Sequence, residues 1–344
     1  MYDLTKSLDI NWELNNICNL FCPQCVRNEI RDGKIQHRFP LNNIDTTLPT
    51  FKTAYKNIRH PVRVIRFNGN VSEPLASKEF LSMCRFLKEE TDTSIQVSTH
   101  GSLKGPVYWK QLGEVFKGDP RSIIFFSLDG VGQKSLSNYR VGAKFNKIIQ
   151  NAQSYIDAGG KAIWRMIIFK HNQHQIEEAK ALAEDIGFWE FITVHTNRRH
   201  NMNMSWAHKG RKGILKNQDI LPEWNFEVDK SEFSHKLDIE CKYQKQNQFY
   251  IDYYKRVWPC CYIPNKIKNG KEQQWYATYN ENMTNSLVHK TFDEIMENEF
   301  YNIIQTSWND DDKCLSDCKK FCSQSAGVTR QVKWSSTDQQ ERWT

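Results

Sequence analysis

Between residue 8 and about residue 195, six short β-rich runs alternate with longer stretches of helical periodicity. That alternation confines the chain to βαβ units around a parallel sheet. The runs are Leu8 to Leu14, Val62 to Phe67, Ser94 to Thr99, Ser122 to Ser127, Ala162 to Phe169 and Phe191 to His195. Segments such as IIFF and MIIF are apolar without clean alternation, as strands covered on both faces are. Ser77 to Glu89, Tyr108 to Phe116, Phe145 to Ala158 and Gln173 to Ile186 space apolar residues three and four apart, which predicts helices with one buried face. Ala158-Gly159-Gly160 and Ile186-Gly187 supply the expected C-caps. The expected fold class is α/β, a partial (β/α)6 TIM-like barrel over residues 1–215 followed by a small α+β domain over 216–344.

The boundary rests on Thr196 to Lys216, TNRRHNMNMSWAHKGRKGILK, which is polar, basic and without apolar periodicity and so reads as a junction. Beyond it, Gln248 to Tyr254 and Arg256 to Pro259 read as a hairpin, Thr291 to Gln305 as helical, and Val328 to Thr344 as a loosely held polar tail. Apolar residues make up 39%, below the usual ~45–50%, but 11 Trp, 13 Tyr and 19 Phe can fill a sizeable core. No stretch approaches the roughly 18 consecutive apolar residues of a membrane span. The N-terminus MYDLTKSLDINWEL has no apolar secretory region, so a cytoplasmic location and no membrane partner are expected. A net charge of +7 favours anionic ligands, and it permits nucleic acid without implying it.

Ten cysteines are many for a reducing compartment, where disulfides rarely persist, and ligation of metal or cluster is the leading explanation. Cys18-Asn-Leu-Phe-Cys22-Pro-Gln-Cys25 is a C-x3-C-x2-C loop directly after the first strand, and parallel α/β folds collect their chemistry at such strand ends. Three thiolates can hold three irons of a four-iron cubane and leave the fourth open to a substrate or cofactor. A zinc site is the alternative, although it usually has four ligands and the third cysteine has no near partner. Cys84 falls on the apolar face of a helix and reads as a core thiol. His171 and His174 read as loop and capping residues rather than ligands.

The cysteine loop after a first strand resembles the hallmark of the radical S-adenosylmethionine superfamily. Later strand ends agree. Phe67-Asn68-Gly69-Asn70-Val71-Ser72-Glu73-Pro74 resembles the family's glycine-rich GGE segment, Ser98-Thr99-His100-Gly101 its TNG strand end, and Ser127-Leu128-Asp129-Gly130 with Tyr139-Arg140 its S-x-DG and following Arg. The sequence departs from the family at Gln24, where an aromatic residue is usual, and at the single glycine of Gly69. The resemblance implies a [4Fe-4S] cluster on Cys18, Cys22 and Cys25, with S-adenosylmethionine contacted by Gly69, Asn70, Glu73, Ser127, Asp129 and Arg140. Glu73 would receive the cofactor's ammonium group, and Arg140 offers a planar fork suited to a carboxylate. It also implies an electron donor such as flavodoxin or ferredoxin. The chemistry implied is reductive cleavage to methionine and a 5'-deoxyadenosyl radical, which abstracts hydrogen from an unidentified peptide, sugar or cofactor precursor.

Six cysteines lie in the last third. Cys241 and Cys260 flank the hairpin, Cys261 is adjacent, and Cys314, Cys318 and Cys322 are spaced C-x3-C-x3-C. They resemble the superfamily's SPASM and twitch domains, and their number favours the shorter twitch form with a single auxiliary cluster. Its ligands are expected to be Cys241 and Cys260 with two drawn from Cys314, Cys318 and Cys322. The family's Gly five residues before its second cysteine is Lys255 here. The rival reading is a zinc-stabilised nucleic-acid-binding protein that uses Arg198, Arg199, His200, Lys209, Arg211 and Lys212 for phosphates.

Overall fold

A computed structural model describes residues 2–38, 42–195, 203–217, 239–266, 285–310, 312–323 and 333–334. In chain order the elements are β1 (Leu8–Trp12), β2 (Asn28–Arg31), β3 (Lys34–His37), α1 (Leu48–Lys56), β4 (Val62–Phe67), α2 (Phe80–Glu90), β5 (Ser94–Thr99), α3 (Pro106–Phe116) and β6 (Ile123–Ser127). Then come α4 (Gly132–Tyr139), α5 (Phe145–Asp157), β7 (Lys161–Ile168), α6 (Ile176–Ile186), β8 (Glu190–His195), β9 (Asn203–His208) and β10 (Arg211–Lys216). The last group is α7 (Lys242–Lys245), β11 (Gln248–Ile251), β12 (Val257–Trp258), α8 (Ile263–Lys266), α9 (Phe292–Met296), α10 (Glu299–Ser307), α11 (Ser316–Cys322) and β13 (Lys333–Trp334). All six expected strands are present, each within two residues of its expected ends.

The chain forms two compact units, one of Met1–Glu13, Thr46–Arg66 and Phe226–Arg330, the other of Leu14–Asp45, Phe67–Asn225 and Gln331–Thr344. In the first unit β1 runs parallel both to β4 and to β11, pairing Ile10 with Phe249, and β11 turns back antiparallel into β12. The hairpin expected at 248–259 therefore adds strands beside β1. Asp9, 2% exposed, takes Arg63 at 2.6 Å and Arg66 at 2.7 Å, so its buried carboxylate is paired from the neighbouring strand. Trp12 packs on Phe51, and Phe249 on Phe292. The helical stretch expected at 291–305 breaks into α9 and α10, because Asn298 accepts from the N–H of Phe300 and caps a new helix.

In the second unit β5, β6, β7 and β8 are successive parallel neighbours, and β13 pairs antiparallel with β8. Trp109, Phe126, Tyr155 and Trp164 are fully buried, and Phe188 joins them with its ring 5.7 Å from that of Trp164. Gly187 closes α6 with its N–H on the carbonyls of Ala183 and Glu184, as expected. Cys84 is fully buried in α2.

Within the stretch 196–216 that reads as a junction, β9 and β10 form a regular hairpin, part of a second sheet of order β10-β9-β3-β2. β3 pairs with β9 at Lys34 and Ala207. Its core is Ile35, Trp206 and Val141, with Phe21 and Ile30 against it. Arg198, Arg199 and His200 lie outside the described residues, as does the tail from 328 except 333–334.

His171 stacks on Phe169 with ring centroids 5.6 Å apart. Burial lowers its pKa to about 4, outweighing a backbone hydrogen bond with Ser135 that favours the proton. The unfolded chain, with a His pKa of about 6.5, then binds more protons than the folded chain, so stability falls as pH drops through the window from about 6.5 to 4. In urea melts, His171→Gln should flatten that loss. Equal pH slopes in parent and variant would remove His171 as its source.

Candidate active site

The loop after β1 is held mainly by backbone groups and buried amides, with one N–H, that of Leu20, on the sulfur of Cys18 at 3.5 Å. Asn15, fully buried, accepts from the N–H of Ile17 at 2.8 Å and donates to the carbonyl of Glu73 at 3.2 Å. Asn16 accepts from the N–H of Ile44, the N–H of Glu73 donates to Ile17, and the N–H of Phe21 to Val141. Asn28 donates to the carbonyl of Cys22, and the N–H of Cys25 closes a turn on that same carbonyl. Cys18 and Cys25 are half-buried and Cys22 is buried. Burial pushes the thiol of Cys22 up to about 12 against the pull of Arg140, and burial also raises that of Cys18. Cys22 is coupled electrostatically to Cys18 and to Cys25.

Beside this loop runs the turn from Gly69 to Glu73. Gly69 has φ +58°, and a Cβ there would lie 2.4 Å from the carbonyl oxygen of Ser72, so only glycine fits. Asn68 accepts from Ser98 at 3.0 Å, and Ser98 in turn accepts from Arg165 at 3.2 Å. Glu73, 3% exposed, accepts from Thr99 at 2.6 Å, from the N–H of His100 at 3.0 Å and from the N–H of Leu75 at 3.3 Å. The N–H of Ser102 donates to Nδ1 of His100, which places the imidazole proton on Nε2, 3.2 Å from Glu73 Oε2. That Nε2 contact is close but lacks hydrogen-bond alignment. Burial lowers the pKa of His100, and it stands as a neutral prop for Glu73. His100 thus belongs to the site through Glu73, a role for which the sequence offers only its place at a strand end.

At the end of β6, Ser127 is 8% exposed and Asp129 is fully buried. Asp129 accepts from Arg140 at 2.5 Å and from the N–H of Ile167 at 2.6 Å, so its carboxylate is committed inside the fold and locks Arg140 in place. Arg140 also donates to the sulfur of Cys22. Cys18, Cys22, Cys25, Glu73, Asp129 and Arg140 thereby form one linked network, with Gly69 opening the turn that carries Glu73. Arg27 and Arg165 are its further cations; neither stands in a motif.

In the first unit a second thiol cluster gathers. An antiparallel bridge of Ile239 with Ser323, and the N–H of Glu240 on the carbonyl of Cys322, bring Cys241 against Cys322. The thiol of Cys322 donates to Cys241, and this together with N–H groups of Tyr243 and Gln244 lowers the pKa of Cys241. Cys318 and Cys322 lie one turn apart on α11. Cys260 follows β12 and couples to Cys318 and Cys322. The hydroxyl of Tyr2 donates to the carbonyl of Pro259 at 3.2 Å and feels the charges of Cys241, Cys260 and Cys318. Cys314 couples to Cys318 and its thiol donates to the carbonyl of Leu315 at 3.7 Å, while Cys261 meets the hydroxyl of Tyr243 at 3.0 Å. Among the described residues no three His, Cys, Asp or Glu side chains converge as around one metal ion. A cubane spreads its sulfurs over different irons, and the chemistry of both donor sets, thiols beside cations or beside one another, fits that group.

No family model matches the chain. It is 27% identical, over 128 residues, to a 7,8-dihydro-6-hydroxymethylpterin dimethyltransferase of Methanocaldococcus jannaschii, a match covering 36% of this chain and 22% of that one. Streptococcus suis SuiB bound to S-adenosylmethionine aligns with a TM-score of 0.53 at 16% identity, over 89% of this chain and 66% of SuiB. anSMEcpe with bound AdoMet and Cp18Cys peptide aligns with a TM-score of 0.53 at 15% identity, over 92% of this chain and 89% of that one. The chain thus spans about a fifth of the length of its curated relative and just under two thirds of that of SuiB. At these identities the likeness establishes the α/β fold.

Proposed function

The chain has the fold of the radical S-adenosylmethionine enzymes, and from it we propose that this protein cleaves S-adenosylmethionine reductively and abstracts hydrogen from a peptide, sugar or cofactor-precursor substrate. The observation that carries the reading is the network joining the three-cysteine loop to the Gly69–Glu73 turn and to the Asp129–Arg140 pair. Cys18, Cys22 and Cys25 would hold a [4Fe-4S] cluster through three irons. When bound, it supplies the single electron that splits the cofactor into methionine and a 5'-deoxyadenosyl radical. Gly69 lets the backbone approach the cofactor, Asn70, Glu73 and Ser127 offer polar contacts, and Arg140, held by Asp129, presents a fixed cation. Cys241, Cys260, Cys318 and Cys322 would hold a twitch-like auxiliary cluster, and a flavodoxin or ferredoxin would deliver electrons. The zinc-stabilised nucleic-acid-binding reading finds no support in the comparisons.

Protein isolated without oxygen should be brown, contain acid-labile sulfide and, once reduced, release 5'-deoxyadenosine from S-adenosylmethionine. With deuterated candidate substrates, deuterium should appear in that product. A colourless zinc protein that forms none of it would end this reading.

A further inference from the structure

Arg27 lies two residues beyond Cys25 and is 3% exposed. Its Nη1 donates to the carbonyl of Asn16 at 3.0 Å and to that of Val71, which ties the root of the cysteine loop to the Gly69–Glu73 turn. Its Nε–H is buried with no partner, and among the described residues its guanidinium meets no carboxylate. A buried cation left without an anion is costly, and two carbonyl dipoles do not neutralise a unit charge. Cys18 of the same loop and His37 of β3 both feel its charge. We infer that Arg27 is the fixed counter-charge of the three-cysteine site, a positioning residue that holds the loop on the cofactor turn and eases addition of an electron to what the loop binds.

The inference rests on the reading that Cys18, Cys22 and Cys25 carry a cluster. A permanent positive charge at short range, where the effective dielectric is about 20 rather than about 80, stabilises the more negative redox state. Losing the charge should therefore make reduction harder even where the cluster is fully loaded.

The test compares parent, Arg27→Lys and Arg27→Gln, reconstituted without oxygen. Iron and sulfide are counted, and the midpoint potential is read by poised electron paramagnetic resonance on the signal that changes when S-adenosylmethionine is added. Arg27→Gln should load its iron and lose about tenfold in the fraction reduced at a fixed potential, about 59 mV for a one-electron couple. Arg27→Lys, which keeps the charge but not the fork, should stay near the parent potential. Equal potentials in parent and Arg27→Gln overturn the inference, as do equal shifts in Lys and Gln. If Arg27→Gln fails to load, a parent-like potential in Arg27→Lys upholds the charge role and a Gln-like failure to load overturns it. If the parent itself shows no signal responsive to S-adenosylmethionine, the cluster reading fails, and it fails before any variant is compared.

Discussion

Replacing Cys18, Cys22 or Cys25 singly with Ala is expected to abolish 5'-deoxyadenosine formation while leaving the chain folded. The two halves of that expectation have separate causes. Each thiolate would hold a different iron, so losing one removes a corner of the cluster. The loop itself is fixed by Asn15, Asn16 and Asn28 and by the N–H groups of Phe21 and Cys25, none of which uses a cysteine side chain as partner. Thermal midpoints should thus move by only a few degrees, the shift that ~1 kcal/mol produces in a chain of this size. Iron content should drop by about one cubane of four, with any second cluster keeping its absorbance. A Cys22→Ala protein that still produces 5'-deoxyadenosine would show that the roles have been assigned to the wrong sulfurs.

The second large effect separates three cysteines that sequence spacing leaves equivalent. Cys318→Ala and Cys322→Ala should each lose the auxiliary cluster, and Cys314→Ala should keep it. Cys318 and Cys322 share a face of α11 and couple to both Cys241 and Cys260, whereas the Cys314 thiol donates back to the carbonyl of Leu315. Cys261→Ala belongs with Cys314→Ala, because its sulfur meets Tyr243. Iron counts and Mössbauer or paramagnetic resonance spectra of the four variants check this. Loss of the second cluster in Cys314→Ala with retention in Cys318→Ala would reverse the assignment.

Edges and partners were the parts least legible in the residues. Asp32-Gly33 is a two-residue hairpin turn with both φ values positive, 49° and 72°, and such an Asp-Gly pair is a strong local signal for β2 and β3. Lys209-Gly210, at 45° and 77°, turns β9 into β10 in the same way. The strands they join are short and largely exposed, however, so no apolar alternation marks them in a polar, basic stretch. Asp129 shows a related limit. Its motif reads as a cofactor contact, and the fold adds that Arg140 and the N–H of Ile167 donate to its oxygens.

By itself the sequence determined the six parallel strands and the helices between them, since burial on both faces or on one face writes a periodic pattern into neighbouring residues. It also determined the three-cysteine loop, because that spacing is a local property of the chain. Only the tertiary structure decided that β11 pairs with β1, that β3 meets β9, that Cys322 lies against Cys241, and that among the described residues Arg27 is buried without a carboxylate. These are pairings between distant segments, set by which surfaces and charges the folded chain brings together, and local periodicity carries no record of a partner.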